Sequence, residues 1–179
     1  MESRFEKCAN KLKDSIESSK RTFLLSYVFL FFSFMLFFSF GYLLYGKSFI
    51  WTVDGLEQQY MFFIMQGEWL RELLTNVFIS HSFVVPMWSE SIGYGGDYIY
   101  SLGNTLGNPI NWISVFATSE TADFWLNLTV PITLFLAGLS FLGYCLKKDF
   151  DRSASLIGCM IYLFGGYTII VASQIYMIY

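Results

Sequence analysis

"TFLLSYVFLFFSFMLFFSFGYLLYG", residues 22–46, is an unbroken run of 25 uncharged residues, eight of them Phe and six Leu. As a helix rising about 1.5 Å per residue it extends about 37 Å, more than the roughly 30 Å of a bilayer's hydrocarbon core. Each Phe or Leu favours insertion by about 0.3–0.6 kcal/mol, and no charge opposes the sum. The stretch reads as a transmembrane helix. The whole chain agrees, at 55% hydrophobic, 14% charged and a mean hydropathy of +0.49, outside the range of ordinary soluble domains. A cleaved secretory signal is the competing reading, because a basic segment precedes the run. An h-region, however, has about 7–15 residues and leads to an Ala-x-Ala-like site, which does not follow here.

Two further uncharged runs, 124–146 and 153–179, exceed the roughly 20 residues needed to cross a bilayer. The expected fold is therefore an all-α polytopic membrane protein with three transmembrane helices, 22–46, 124–146 and 153–179. Basic residues set its orientation. Six Lys or Arg lie in 1–21 and three in the linker "KKDFDR" (147–152), whereas 47–123 has only Lys47 and Arg71. The positive-inside rule places 1–21 and 147–152 in the cytoplasm and 47–123 outside, where eight of the fourteen acids lie. Cys8, Cys145 and Cys159 then fall on the cytoplasmic side or within a span, so no disulfide framework is indicated and they read as inert. Phe5, Cys8, Ala9, Leu12 and Ile16 make one stripe of an amphipathic segment, expected to lie on the headgroups.

A loop of 77 residues is too long to be a mere connection. In its first half Leu56, Tyr60, Phe63, Leu70, Leu74 and Val77 recur at helical spacing, which predicts helices lying along the membrane surface. From Pro86 the pattern changes. "PMWSESIGYGGDYIYSLGNTLGNPINW" (86–112) combines glycines for turns with exposed rings. Pro131 inside the second span predicts a bend. Gly158, Gly165 and Gly166 in the third predict close helix packing.

Chemistry is limited by what is missing from the sequence. "GYGGDY" (93–98) lacks the third glycine of a dinucleotide fingerprint, and there is no Walker A sequence, no paired metal-ligand motif and no nucleophile elbow. No basic patch suits nucleic acid, and His81, the only histidine, reads as a surface residue. What gathers on the outer side is carboxylates, amides and rings. Asp54 follows the first span in "WTVDGLEQQY" (51–60), Asp97 lies among glycines, and Gln58, Gln59, Asn104, Asn108 and Asn111 are close in sequence to one or the other. A carboxylate at the membrane surface can act as a general base or hold a divalent cation. Trp88, Tyr94, Tyr98, Tyr100 and Trp112 offer flat faces to a sugar, with amides for its hydroxyls. Each has a plainer reading. Asp54 with Glu57 makes a D-x-x-E variant of the capping box, Asp97 suits a turn, and the rings suit an interfacial aromatic belt.

The order "DGLEQQY", "PMWSESIGYGGD", "LGNPINW", then "GCMIYLFGGYTIIVASQ" in the third run resembles the N-terminal part of the YfhO family, bacterial membrane proteins grouped with the C-type glycosyltransferases. The resemblance covers nearly all of the chain after residue 21. It implies the N-terminal part of a GT-C fold in the bacterial cell membrane, and an enzyme that takes a sugar from a polyprenyl-phosphate carrier. The acceptor implied is a cell-envelope polymer such as teichoic acid. It further implies Asp54 as catalytic base or as ligand of a Mg or Mn ion, and Gln58 as a substrate-positioning amide. Trp88, Tyr94, Asp97 and Asn108 are the other expected substrate contacts, Asp97 the weaker acid. Family members are much longer, so the remaining transmembrane part of a longer chain is the expected partner. The alternative is a non-catalytic membrane subunit, or a truncated and inactive fragment, that binds a partner through its outer loop. A channel or transporter is disfavoured because the three runs hold no charged residue.

Overall fold

In this computed structural model, which describes residues 4–50 and 54–172, regular structure is helical apart from one two-stranded ladder. Residues 51–53 of the acidic motif and 173–179 of the third expected span lie outside the described residues. The chain divides into two compact units, one formed by Met1–Gly46 with Leu134–Ile169, the other by Lys47–Thr133 with Ile170–Tyr179.

In the first unit, α1 (Arg4–Ser18) is followed at once by α2 (Lys20–Leu44). Ser19 marks the break. Its backbone is extended and its Oγ accepts the N–H of Thr22 at 3.3 Å, as a helix N-cap should. Of the expected α1 stripe, Ile16 is buried and Leu12 is exposed. The side chains of Phe5, Cys8 and Ala9 lie outside the described residues. α2 and α5 (Ala122–Lys147) are both long and apolar enough to cross a membrane, and they match the expected runs 22–46 and 124–146. α5 is continuous through Pro131.

The third expected span, 153–179, is not one continuous helix where it is described. α6 (Arg152–Leu163) ends at Phe164 and Gly165, and α7 (Gly166–Ala172) follows. Adjacent glycines weaken a helix because they gain no side-chain packing and lose the most backbone freedom. The ring of Phe164 packs on α2 at the same point, stacked on Phe38 with centroids 5.3 Å apart.

α2 buries a narrow stripe, Phe23, Tyr27 and Phe31, at spacings of four, while Phe29 and Phe37 point outward at 71% and 76% exposure. Tyr27 donates its hydroxyl to the carbonyl of Phe135 at 2.7 Å. Close helix approach occurs at Gly138 of α5, where any Cβ would run into Tyr27 Oη and the Leu163 side chain. The glycines expected to serve this purpose behave differently. Gly158 would make an ordinary contact with Phe141 at 3.7 Å, and Gly166 faces open space.

Two helix ends in this unit satisfy one another. Helix termini leave N–H and C=O groups without intrahelical partners. The Glu17 carboxylate, at the end of α1, accepts the N–H groups of Arg152 (3.2 Å) and Ser153 (2.8 Å) at the start of α6. Arg152 Nη1 donates back to the carbonyls of Ile16 (3.4 Å) and Glu17 (2.5 Å). Asp151, which precedes α6 in the usual cap position, makes no side-chain cap bond. The Ser153 N–H, and after it Arg152, holds the Glu17 carboxyl below its ordinary 4.5. A depressed carboxylate stabilises the fold above its unfolded pKa, and that contribution is lost as pH falls through the lowered folded value. Hydrogen–deuterium exchange, corrected for intrinsic rates, should therefore show α1 protected at pH 7 and progressively loosened as pH falls below the ordinary 4.5. Glu17→Gln should give the loosened state already at pH 7. Equal protection in the variant at pH 7 would refute the mutual cap.

In the second unit the acidic motif forms a π-helical turn, Gly55–Gln59, leading into α3 (Tyr60–Phe78). A short ladder, β1 (Trp88–Ser89) against β2 (Gly96–Asp97), precedes α4 (Tyr98–Leu106), a 3₁₀ segment (Pro109–Phe116) and the first part of α5. The predicted helical character of 56–77 holds, but its buried face is displaced. Gln59, Phe63, Gln66, Gly67, Trp69 and Leu70 are buried, whereas Leu56 and Leu74 are 52% and 42% exposed. The reason lies in the neighbours. Phe63 packs with Ala117, Ala122 and Leu126, and Trp69 and Leu70 with Tyr98 and Leu102, so α3 has two apolar contacts with the polar, narrow Gln66–Gly67 step between them in sequence.

Candidate functional site

The π turn displays the carboxylates that the sequence singled out. Its bond runs from the N–H of Tyr60 to the carbonyl of Gly55, five residues back. Such turns are rare and recur at functional sites, because the widened backbone re-aims the side chains it carries. Asp54, Glu57 and Gln58 are exposed while Gln59 is turned inward. Asp54 already has helical angles (φ −61°, ψ −31°) and makes no side-chain cap bond. An N-cap side chain reaches the free N–H groups from an extended backbone, so the capping-box reading of Asp54 fails here.

Capping falls instead to two residues expected at the substrate. Asp97 is extended (φ −73°, ψ 122°) and its Oδ1 accepts the N–H of Tyr100 at 2.7 Å, opening α4. Asn108 is buried, and its Oδ1 accepts the N–H of Ile110 at 3.0 Å, opening the 3₁₀ segment with Pro109 at its first position. Asn111 is buried too and its amide points at the Thr105 carbonyl at 3.5 Å. The side chain of Asn104 lies outside the described residues. Among the described amides named from the sequence, Gln58 is exposed and Gln59, Asn108 and Asn111 are buried.

Trp88 and Tyr94 belong to the glycine-rich hairpin. Gly93 (φ 60°) and Gly95 (φ 107°) take left-handed angles, and a Cβ at Gly95 would also strike the Trp88 ring at 2.7 Å. Trp88 faces Asp97 across the ladder and donates its indole N–H to Glu90 at 3.1 Å. Tyr94 stands fully exposed at the tip. Trp88, Tyr94 and Asp97 thus share one hairpin. Asp54 and Gln58 flank and form the turn that precedes α3 in the chain.

Fit to a divalent cation can be tested directly. Mg²⁺ or Ca²⁺ takes six or more oxygen ligands, with protein carboxylates anchoring the ion. Among the described residues no three His, Cys, Asp or Glu side chains converge to hold a metal. A Mg²⁺ ion completed by substrate phosphates needs only one or two protein carboxylates, and the exposed Asp54 is available either to such an ion or as a proton acceptor.

Arg71, one of the two basic residues of 47–123, has a structural task. Its Nη1 donates to the carbonyls of Ala117 (2.6 Å), Val115 (3.0 Å) and Ser114 (3.5 Å), closing the end of the 3₁₀ segment against α3. A cation at the carbonyl end of a helical segment is favoured by the local dipole as well as by the bonds. Arg71→Ala removes the side-chain donor to the Val115 and Ala117 carbonyls and should destabilise this unit by about 1–3 kcal/mol. Thermal unfolding in detergent, following protease resistance of residues 60–120, measures it. An unchanged midpoint would show that the clamp is dispensable. No family model, curated protein or solved structure matches this chain.

Proposed function

We propose that this chain carries the outer acidic turn of a membrane-embedded, C-type glycosyltransferase of the YfhO kind, held by three transmembrane segments in a bacterial cell membrane with its N-terminus cytoplasmic. The enzyme moves a sugar from a polyprenyl-phosphate carrier to a cell-envelope acceptor such as teichoic acid, and further transmembrane segments of a longer chain complete it. One observation supports this above the others. Asp54 comes soon after a 25-residue apolar helix, immediately before a π turn, with its carboxylate exposed and not engaged as a cap.

The reaction needs little else from this part of the protein. The acceptor hydroxyl oxygen forms a bond to the anomeric carbon while the bond from that carbon to the phosphate oxygen breaks. Polyprenyl phosphate leaves with the bonding electrons, and the Asp54 carboxylate takes the acceptor proton. Gln58, about one turn further on, bonds sugar hydroxyls through its exposed amide. Trp88 and Tyr94 supply stacking faces, while Asp97 and Asn108 shape the loop that presents them.

The test is transfer of radiolabelled sugar from polyprenyl phosphate to teichoic acid by the purified full-length protein in vesicles. Labelled polymer is the expected result. Polymer binding without transfer would point instead to a non-catalytic membrane subunit that acts through its outer loop.

A further inference from the structure

Asn127 is the single Asn, Gln or charged residue in the run 124–146, and the reaction proposed above gives it no part. Its side-chain amide is held on both sides. Nδ2 donates to the backbone carbonyl of Asp123 (2.8 Å) and to the Asp123 Oδ1 (2.9 Å), one helical turn earlier in α5. Oδ1 accepts the backbone N–H of Phe49 at 2.7 Å, from 78 positions away in the chain. Turned over, the amide would set its oxygen against two Asp123 oxygens and its NH₂ against the Phe49 N–H, so this network admits one orientation. Short polar side chains on a helix commonly bond back to their own backbone. The Nδ2 of Asn127 does so, while its Oδ1 is committed to the chain that leads into the acidic turn.

The segment before that turn and the helix after it rest on the same part of the protein. Ile50, whose N–H meets Ser48 Oγ at 3.0 Å, packs on the cluster of Phe63, Ala117, Ala122 and Leu126. Beyond the turn, Tyr60 packs there too and donates its hydroxyl to the Ser119 carbonyl at 3.1 Å. Residues 49–50 and 60–63 therefore share a footing on 117–127, all within the second unit. Asp54 and the π turn Gly55–Gln59 lie between these two attachments in sequence.

We infer that Asn127, oriented by Asp123, is a positioning residue that sets the place of the Asp54 carboxylate. The inference rests on the proposed transfer reaction, in which Asp54 takes the acceptor proton. A base must stand within hydrogen-bond reach of the proton it removes, and a displacement of about 1 Å can cost roughly 10²-fold in rate. Asn127 touches no substrate in this scheme. It acts through the backbone at Phe49, and so on the path of the chain into the turn.

Four forms of the full-length protein in vesicles test it, with radiolabelled sugar on polyprenyl phosphate: parent, Asn127→Ala, Asp54→Asn and the double variant, with rates taken per folded molecule. Asn127→Ala should lower kcat by roughly 10–10²-fold at an unchanged KM for the donor. In the Asp54→Asn background the same change should lower the residual rate by less than about twofold, because the group that Asn127 places is no longer a base. Hydrogen–deuterium exchange across 55–60 should quicken several-fold in Asn127→Ala. Asn127→Ser, which bonds within its own helix but is too short to reach Phe49, carries the same expectations if the alanine variant does not accumulate. Equal loss in both backgrounds marks a general structural role and overturns the inference. So does a full rate or unaltered exchange in Asn127→Ala, and an impaired Asp54→Asn then leaves the proposed base standing. Full transfer in Asp54→Asn, or no transfer by the parent, removes the proposed role of Asp54 and this inference with it.

Discussion

Asp54→Asn in the full-length protein should lower sugar transfer by roughly 10²–10⁴-fold, the usual contribution of a positioned general base. The amide has the size of the carboxylate and keeps a hydrogen-bonding oxygen, but it cannot take the acceptor's proton. Because Asp54 is exposed and caps nothing, the change should shift stability by less than about 0.5 kcal/mol. Membrane level and unfolding midpoint therefore serve as controls in the same experiment. Asp97→Ala sharpens the contrast. It removes the bond to the Tyr100 N–H and should cost about 0.5–2 kcal/mol of stability, with any loss of rate following loss of fold. Full transfer activity in Asp54→Asn would remove this acid from the mechanism.

Gly67→Ala should give the largest structural effect in the second unit. A methyl group there meets the Ser114 carbonyl oxygen inside van der Waals range, and the Arg71 guanidinium at 3.2 Å. The oxygen belongs to backbone, and that backbone is held by Arg71, so neither neighbour can yield cheaply. α3 must separate from the 3₁₀ segment, at a cost of about 1–3 kcal/mol or more. Alanine also gains helix propensity over glycine by about 1 kcal/mol, which gives the result its force. Thermal unfolding decides the sign. A midpoint equal to or above the parent's would mean that the close approach at Gly67 is absent. Transfer activity in this variant should fall with folded fraction, unlike Asp54→Asn, where rate falls and fold persists.

The two predictions separate what was readable in the sequence from what was not. The helices Lys20–Leu44 and Ala122–Lys147 were expected from their uncharged runs, within two residues at each end. The exposed positions of Asp54, Gln58, Trp88 and Tyr94 suit residues predicted to meet a ligand. The assignments that failed were local patterns with a non-local competitor. D-x-x-E marks a capping box when the chain enters a helix from extended backbone, and here the backbone is already helical at Asp54. Asp97 and Asn108, expected at the substrate, also act as caps, a role set by where β2 and the 3₁₀ segment begin the helices they open. Gly165 and Gly166 looked like a packing notch and became the boundary between α6 and α7. Gln66 and Gly67 gave no signal at all, since a glutamine on a helix next to a glycine predicts an exposed face, yet both are buried and the 3₁₀ segment is pressed against Gly67.

By itself, then, the amino-acid sequence determined the two long apolar helices and the position of an acidic turn shortly after the first of them. Insertion energy is a sum over residues, each contributing nearly independently of its neighbours, so composition over some 25 positions suffices. Only the tertiary structure decided which carboxylate caps, which amides are buried, that Gly67 and Gly138 are the points of closest approach, and that Glu17 and Arg152 close each other's helices. Those outcomes depend on groups brought together from as many as 136 residues apart, at distances where a single methyl or hydrogen bond determines the sign. No pattern within one helix contains that information.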